Sequence, residues 1–297
     1  MLKDFSKFKS RYILLDIIMI IFILGFLLAV ISIVTGWDTT NLSKEPFLIY
    51  TVGIIFPAII CWKIFRRLEK AGIEINTLVG NTSWKRQPWL MLFIIFYGIY
   101  TLESGVLHLT IFLAHLINPN FAKLAIESVR LDFNYETDSL ALKFIFYLVL
   151  FFTVVIVAPV TEEFIFRGVL LHRFGAKWGI TWAVLLSSFF FGLVHMNIAA
   201  ISIGVGFIFV ALVYIKTRTL IVPLAFHAMH NLIAFVDGII NLLSHSNSQG
   251  EITLQYLWIG LLNIAFALPI LFYFLKFPKA SDLLPYAAAH IKNEENG

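Results

Sequence analysis

Two adjacent carboxylates are the first residues in this sequence whose types and spacing could do chemistry. Glu162 and Glu163 lie in the segment TEEFIFRG, Thr161 to Gly168, with Arg167 four residues after Glu163. On a helix Glu163 and Arg167 share a face, with the acid on the favourable N-terminal side, so an intrahelical ion pair accounts for both. It does not account for Glu162, which points about 100° away. A like charge next door and a low-dielectric setting would suit that carboxylate to general-base work; the alternative is a solvent-facing acid at a helix end. His195 closes the run FGLVH, with Phe191 one turn earlier on the same face. Alone, a histidine in an apolar helix is more often a packing residue than a catalyst. His227 and Asn231, in HAMHN, are again four apart and aim into one groove. That spacing suits a pair of hydrogen-bond donors, two ligands of one centre, or interhelical glue. His230 falls on another face and reads as structural or interfacial.

The elements that must carry these residues are membrane spans. Of the 297 residues 60% are apolar and 13% charged, with a mean hydropathy of +0.88, against about 45–50% and about 25% in ordinary globular chains. The expected fold class is therefore all-α, a polytopic membrane helical bundle; nucleic-acid binding, secretion and disorder drop out. A span needs about 20 mostly apolar residues, and eight stretches qualify: 12–34, 47–65, 89–117, 140–160, 178–196, 198–215, 219–243 and 255–275. The fourth is expected to continue as helix to about Arg173. The first is too long for a signal-peptide core, lacks a small-residue cleavage site, and reads as a retained helix. Cytoplasmic loops carry the excess of Lys and Arg. With the N-terminus inside, only Lys44, Lys123, Arg130 and Lys143 of the 22 basic residues fall outside, so both termini are expected in the cytoplasm. Three parts follow: 1–139, three helices with a basic inner loop at 66–88 and an acidic outer loop at 118–139, which has room for a short interfacial helix; 140–245, which holds the chemistry-bearing residues; and 246–297, a last helix and polar tail. The one cysteine, Cys61, allows no internal disulfide and no thiolate metal cluster. Abundant Phe and Ile hint at an AT-rich bacterial genome, hence a bacterial plasma membrane.

Ionisable residues inside a bilayer are costly and mostly kept for function. At 1.5 Å per residue, Glu162 lies about 16 Å along its helix from the inner end, His195 about 25 Å, and His227 and Asn231 about 12 and 18 Å. Three helices thus offer a carboxylate, two imidazoles and an amide at compatible depth. Glu103, His108 and His115 on the third span have no motif to join them; Glu103 is expected to pair with a basic group or to touch a substrate helix. Asp16 and Lys143 can reach the interface, and Asp237 sits near the outer end of its span.

The pattern E-E-x3-R, then F-x3-H, then H-x3-N, each on its own apolar helix, resembles the CPBP family of intramembrane proteases. That family includes the type II CAAX prenyl endopeptidases and bacterial Abi proteins linked to bacteriocin processing and self-immunity. The likeness covers roughly 140–245. It implies that Glu162 activates water, that His195 holds the same water or assists proton transfer, and that His227 and Asn231 stabilise the oxyanion. Glu163, Arg167 and Phe191 would support the site. It implies a peptide or protein substrate associated with the lipid bilayer, and it fixes no oligomeric state. Glu162, His195 and His227 also match a His₂Glu zinc set, but no H-E-x-x-H helix fixes two ligands, and the metal-free reading is favoured.

Two other functions compete with an endopeptidase. One is a non-catalytic membrane regulator or bacteriocin-immunity protein on the same scaffold, against which the intact motif residues argue. The other is a solute transporter, but no paired broken helices are found. There is no Gly-x-Gly-Asp for an aspartyl intramembrane protease, and Glu103-Ser104-Gly105 lacks the glycine two positions before a rhomboid-like serine.

Overall fold

The computed structural model describes residue 5 and residues 46–80, 82–129, 138–243, 252–276 and 284–287. The expected first span, 12–34, lies outside these residues, as do Asp16 and the N-terminal basic cluster. The α-helices are α1 (Pro46–Lys70), α2 (Ile75–Val79), α3 (Trp89–Ile117), α4 (Pro119–Val129), α5 (Leu140–Trp178), α6 (Ile180–Leu193), α7 (Ala200–Thr217), α8 (Ile221–Leu243) and α9 (Leu254–Lys276), with a 3₁₀ turn at Trp84–Arg86 before α3. No strand forms among the described residues; Gly80 and Thr219 make one isolated antiparallel bridge. By length and composition α3, α5, α7, α8 and α9 can each cross a membrane. The protein is an all-helical, multi-pass membrane protein.

Its exterior agrees. Leu90, Ile117 and Leu140 are 80%, 87% and 82% exposed. Outward apolar side chains of this size, repeated along helices whose backbone groups pair internally, suit a lipid surround.

Helices meet where small residues let backbones approach. On α3, a Cβ at Gly105 would lie 2.9 Å from the Gly260 carbonyl oxygen of α9. Between α6 and α7, a Cβ at Gly192 would strike the Ala200 carbonyl. The core between these contacts is aromatic and aliphatic, with Phe96 and Ile99 of α3, Phe166 of α5, Phe191 of α6, Phe207 of α7 and Phe226 of α8 all buried.

Two expectations change. α5 runs on to Trp178, past Arg173, because the next break is Gly179, whose φ of 84° is a left-handed conformation that only glycine adopts freely. The fifth span, expected at 178–196, shrinks to the 14 residues of α6. That is about 21 Å of helix, short of the roughly 30 Å of hydrocarbon. The chain leaves α6 in a turn through Val194, His195 and Met196, Met196 having a φ of 51°, and α7 returns beside it. His195 therefore sits in the tip of a helical hairpin, not inside a helix. The short helix expected in the 118–139 loop is α4.

Candidate active site

The site begins with a proline. Pro159 has no N–H to donate. Around it α5 opens into a wide, π-type turn over Phe152–Val157, and the Ala158 N–H bonds the Thr153 carbonyl five residues back. The next carbonyl in that series, Val154, would need the N–H that Pro159 lacks. Asn231 of α8 supplies the missing donor, its Nδ2 lying 2.8 Å from the Val154 oxygen. A second wide turn follows at Phe164–Leu170, closed by the Leu171 N–H on the Phe166 carbonyl. Wide turns of this kind recur at functional sites. Here they bracket Glu162 and Glu163.

Glu163 and Arg167 form the expected pair and bury it completely, at 1% and 0% exposure. Arg167 Nη1 donates to Glu163 Oε1 at 3.3 Å, and Nε approaches Oε2 to 3.2 Å. Nη2 donates to the Phe207 carbonyl of α7 at 3.3 Å. The guanidinium carbon lies 4.7 Å from the Phe191 ring centroid and 4.5 Å from that of Phe207, and these rings stack on each other at 3.8 Å. A buried charge needs a partner, which Glu163 provides, and two rings add cation–π contact. Phe191 is thus a floor for Arg167. Phe207, an unremarked aromatic in an apolar helix, is its counterpart, and no sequence signal distinguishes it.

The second function of Glu163 is to orient a histidine. His227 Nδ1 lies 3.0 Å from Glu163 Oε1. An ionised carboxylate can only accept, so Nδ1 carries the proton and Nε2 faces the other way, 3.8 Å from Glu162 Oε2. His195 is oriented in the same manner by the Phe191 carbonyl, 2.8 Å from its Nδ1, which leaves its Nε2 free. The Glu162 side chain is 30% exposed, yet its Oε2 is shut off from solvent and has no hydrogen-bond partner among the described residues. An unpaired, buried carboxylate oxygen beside an imidazole nitrogen is costly unless something completes it.

The structure brings Glu162, Glu163, Arg167, His227 and Phe191 together, with His195 at the rim. Asn231 shares the His227 face, but one of its amide hydrogens is spent on Val154. The suggested zinc set does not fit as placed: among the described residues no three His, Cys, Asp or Glu side chains gather as a metal-binding group. Glu103 finds the basic partner expected for it in His230, with Oε2 and Nε2 2.9 Å apart. His108 Nδ1 donates to its own helix at the Ser104 carbonyl, so it cannot serve Ser104 as a base.

Fold and site together define a helical membrane protein with a buried carboxylate–imidazole–guanidinium cluster beside a second carboxylate that is partly exposed. Residues 144–233 match the family model described as type II CAAX prenyl endopeptidase Rce1-like. Over 109 residues the chain is 30% identical to a protein of Bacillus subtilis (strain 168) named "Putative membrane peptidase YdiL", covering 35% of this chain and 44% of that one. The chain therefore spans less than half the length of this relative. No solved structure matches. The likeness to CPBP-type proteases seen in the motifs holds in both comparisons.

Proposed function

We propose that this protein is an endopeptidase working within the membrane, with Glu162 as the base that activates water. One observation carries the reading: Glu162 Oε2 is buried, unpaired and turned toward an imidazole whose other nitrogen is fixed by Glu163. Glu162 and His195 Nε2 serve as acceptors, and a water molecule held by them brings the two donors they lack. Glu162 takes a proton from that water, and the oxygen attacks a peptide carbonyl. The oxyanion so formed needs donors. His227 can give one from Nε2 when it enters the reaction already as an imidazolium with Glu163 as counter-ion, and Asn231 from its second amide hydrogen. Glu162 then passes its proton to the leaving nitrogen as the C–N bond breaks.

The substrate is a membrane-associated peptide or protein. An apolar cavity of about 580 Å³ lies against Glu163, lined among others by Trp62 and Phe65 of α1, Val160 and Phe164 of α5, and Leu220 and Leu224. It suits the apolar anchor of such a substrate, whether a prenylated CAAX box or the hydrophobic part of a leader, pheromone or bacteriocin peptide.

The test uses the full chain in liposomes and a quenched fluorogenic CAAX peptide, farnesylated or bare. Wild-type protein should cleave one of them. Glu162→Gln should lower the rate by about 10²–10⁴, the contribution of a positioned acid–base group. Turnover surviving in that variant would remove Glu162 from the mechanism. Dialysis against a chelator should leave the rate within about twofold if no metal takes part.

A further inference from the structure

Glu103 lies on α3, outside the 144–233 segment that matches the family model. It is a carboxylate 5% exposed in a membrane helix, and the mechanism does not use it. The fold makes room for it deliberately. A Cβ at Gly206 of α7 would collide with the Glu103 carboxylate, so the acid rests directly on the backbone of α7. Its Oε2 meets His230 Nε2 at 2.9 Å. Tyr100, one turn before Glu103, sets its ring edge-on to His230 with centroids 5.7 Å apart. A void of about 10 Å³, walled by Phe207, Phe226 and the Glu103–His230 pair, ends at His227.

α8 is therefore tethered by polar contacts on two faces. His227 is drawn to Glu163, Asn231 to Val154, and His230 to Glu103. Two tethers set the helix against α5; the third pulls from α3. A helix held from one side can roll, and a roll of α8 swings His227 Nε2 and the second Asn231 hydrogen together.

We propose that Glu103 is a positioning residue for the reaction: through His230 it fixes the rotation of α8 and so the aim of His227 and Asn231 at the oxyanion. The proposal rests on the endopeptidase reading. Misplacement of about 1 Å can cost a reaction about 10²-fold, so Glu103→Ala should lower kcat by about tenfold or more while KM stays within about twofold. Glu103→Gln, which still offers an acceptor to His230, should recover most of that loss. His230→Ala should match Glu103→Ala, and the double variant should be no worse than either, because both break one tether.

The activity-free readout is ¹⁵N NMR of histidine-labelled protein. Glu103→Ala should move the His227 imidazole resonances as well as those of His230. Movement of His230 alone, or kcat within about twofold of wild type in folded Glu103→Ala protein, would overturn the positioning role. Absence of cleavage by wild-type protein would count against the endopeptidase reading and leave the spectra to decide whether Glu103 sets His227.

Discussion

The two neighbouring glutamates are expected to fail in different ways when changed. Glu163 neutralises a guanidinium that no solvent reaches. Its removal leaves a buried charge unpaired, which costs about 3–5 kcal/mol. Glu163→Ala should accordingly cut accumulation in the membrane and lower the melting temperature of purified protein. Glu162 Oε2 has no hydrogen bond to lose among the described residues, His227 Nε2 lying 3.8 Å away, so Glu162→Gln should melt within a degree or two of wild type, about the effect expected of a change under 0.5 kcal/mol, and fail only in turnover. Equal melting losses in both variants would contradict the division of labour. Much of this pair was legible beforehand, because i, i+4 spacing places Glu163 on Arg167 and leaves Glu162 aside. The bond from Glu163 to His227 was not, since 64 residues of sequence separate its ends and only the packing of α5 on α8 brings them together.

At the scale of elements, Pro159 and Asn231 form one unit. The proline leaves the Val154 carbonyl without its helical donor, and the asparagine supplies one from another helix. Pro159→Ala restores an N–H in α5. Asn231→Ala should therefore destabilise the Pro159→Ala background by less than it destabilises wild type, with a coupling of about 1 kcal/mol, the worth of one hydrogen bond. Strictly additive melting shifts would show that the amide does not answer the proline. Apolar runs foretold most of the helices, since hydrophobic length alone marks a span. They could not foretell that α6 stops after 14 residues. Val194, His195 and Met196 carry no glycine or proline, and their turn is set by the close packing of Gly192 on α7, a tertiary fact. The resemblance to known proteases supplied roles for His195, His227 and Asn231, whereas spacing alone left each of them open to a packing interpretation.

Across the whole molecule, residues from both ends of the sequence converge on the end of α5 beyond the site. His172, fully buried, donates from Nδ1 to the carbonyls of Arg167 and Gly168. Its Nε2 accepts the backbone N–H of Tyr286 at 3.3 Å. Phe5 stacks on the same imidazole with centroids 5.3 Å apart, and Tyr286 meets Phe5 edge-on at 5.2 Å. Leu284 packs against Gly175, where an added Cβ would displace the end of the leucine side chain. The α5 backbone that accepts from His172 is the same stretch that carries Arg167. A chain ending at residue 283 would expose this surface and leave His172 Nε2 without its donor, at about 1–3 kcal/mol for the unpaired group and about 1.5–3 kcal/mol for each large apolar side chain no longer buried. The truncated protein should melt several degrees lower. Tyr286→Ala separates the causes: it keeps the N–H that His172 accepts and removes the buried ring, so its loss should fall within the apolar share. Truncation without a melting shift would show that the C-terminal segment merely lies on the bundle rather than bracing α5.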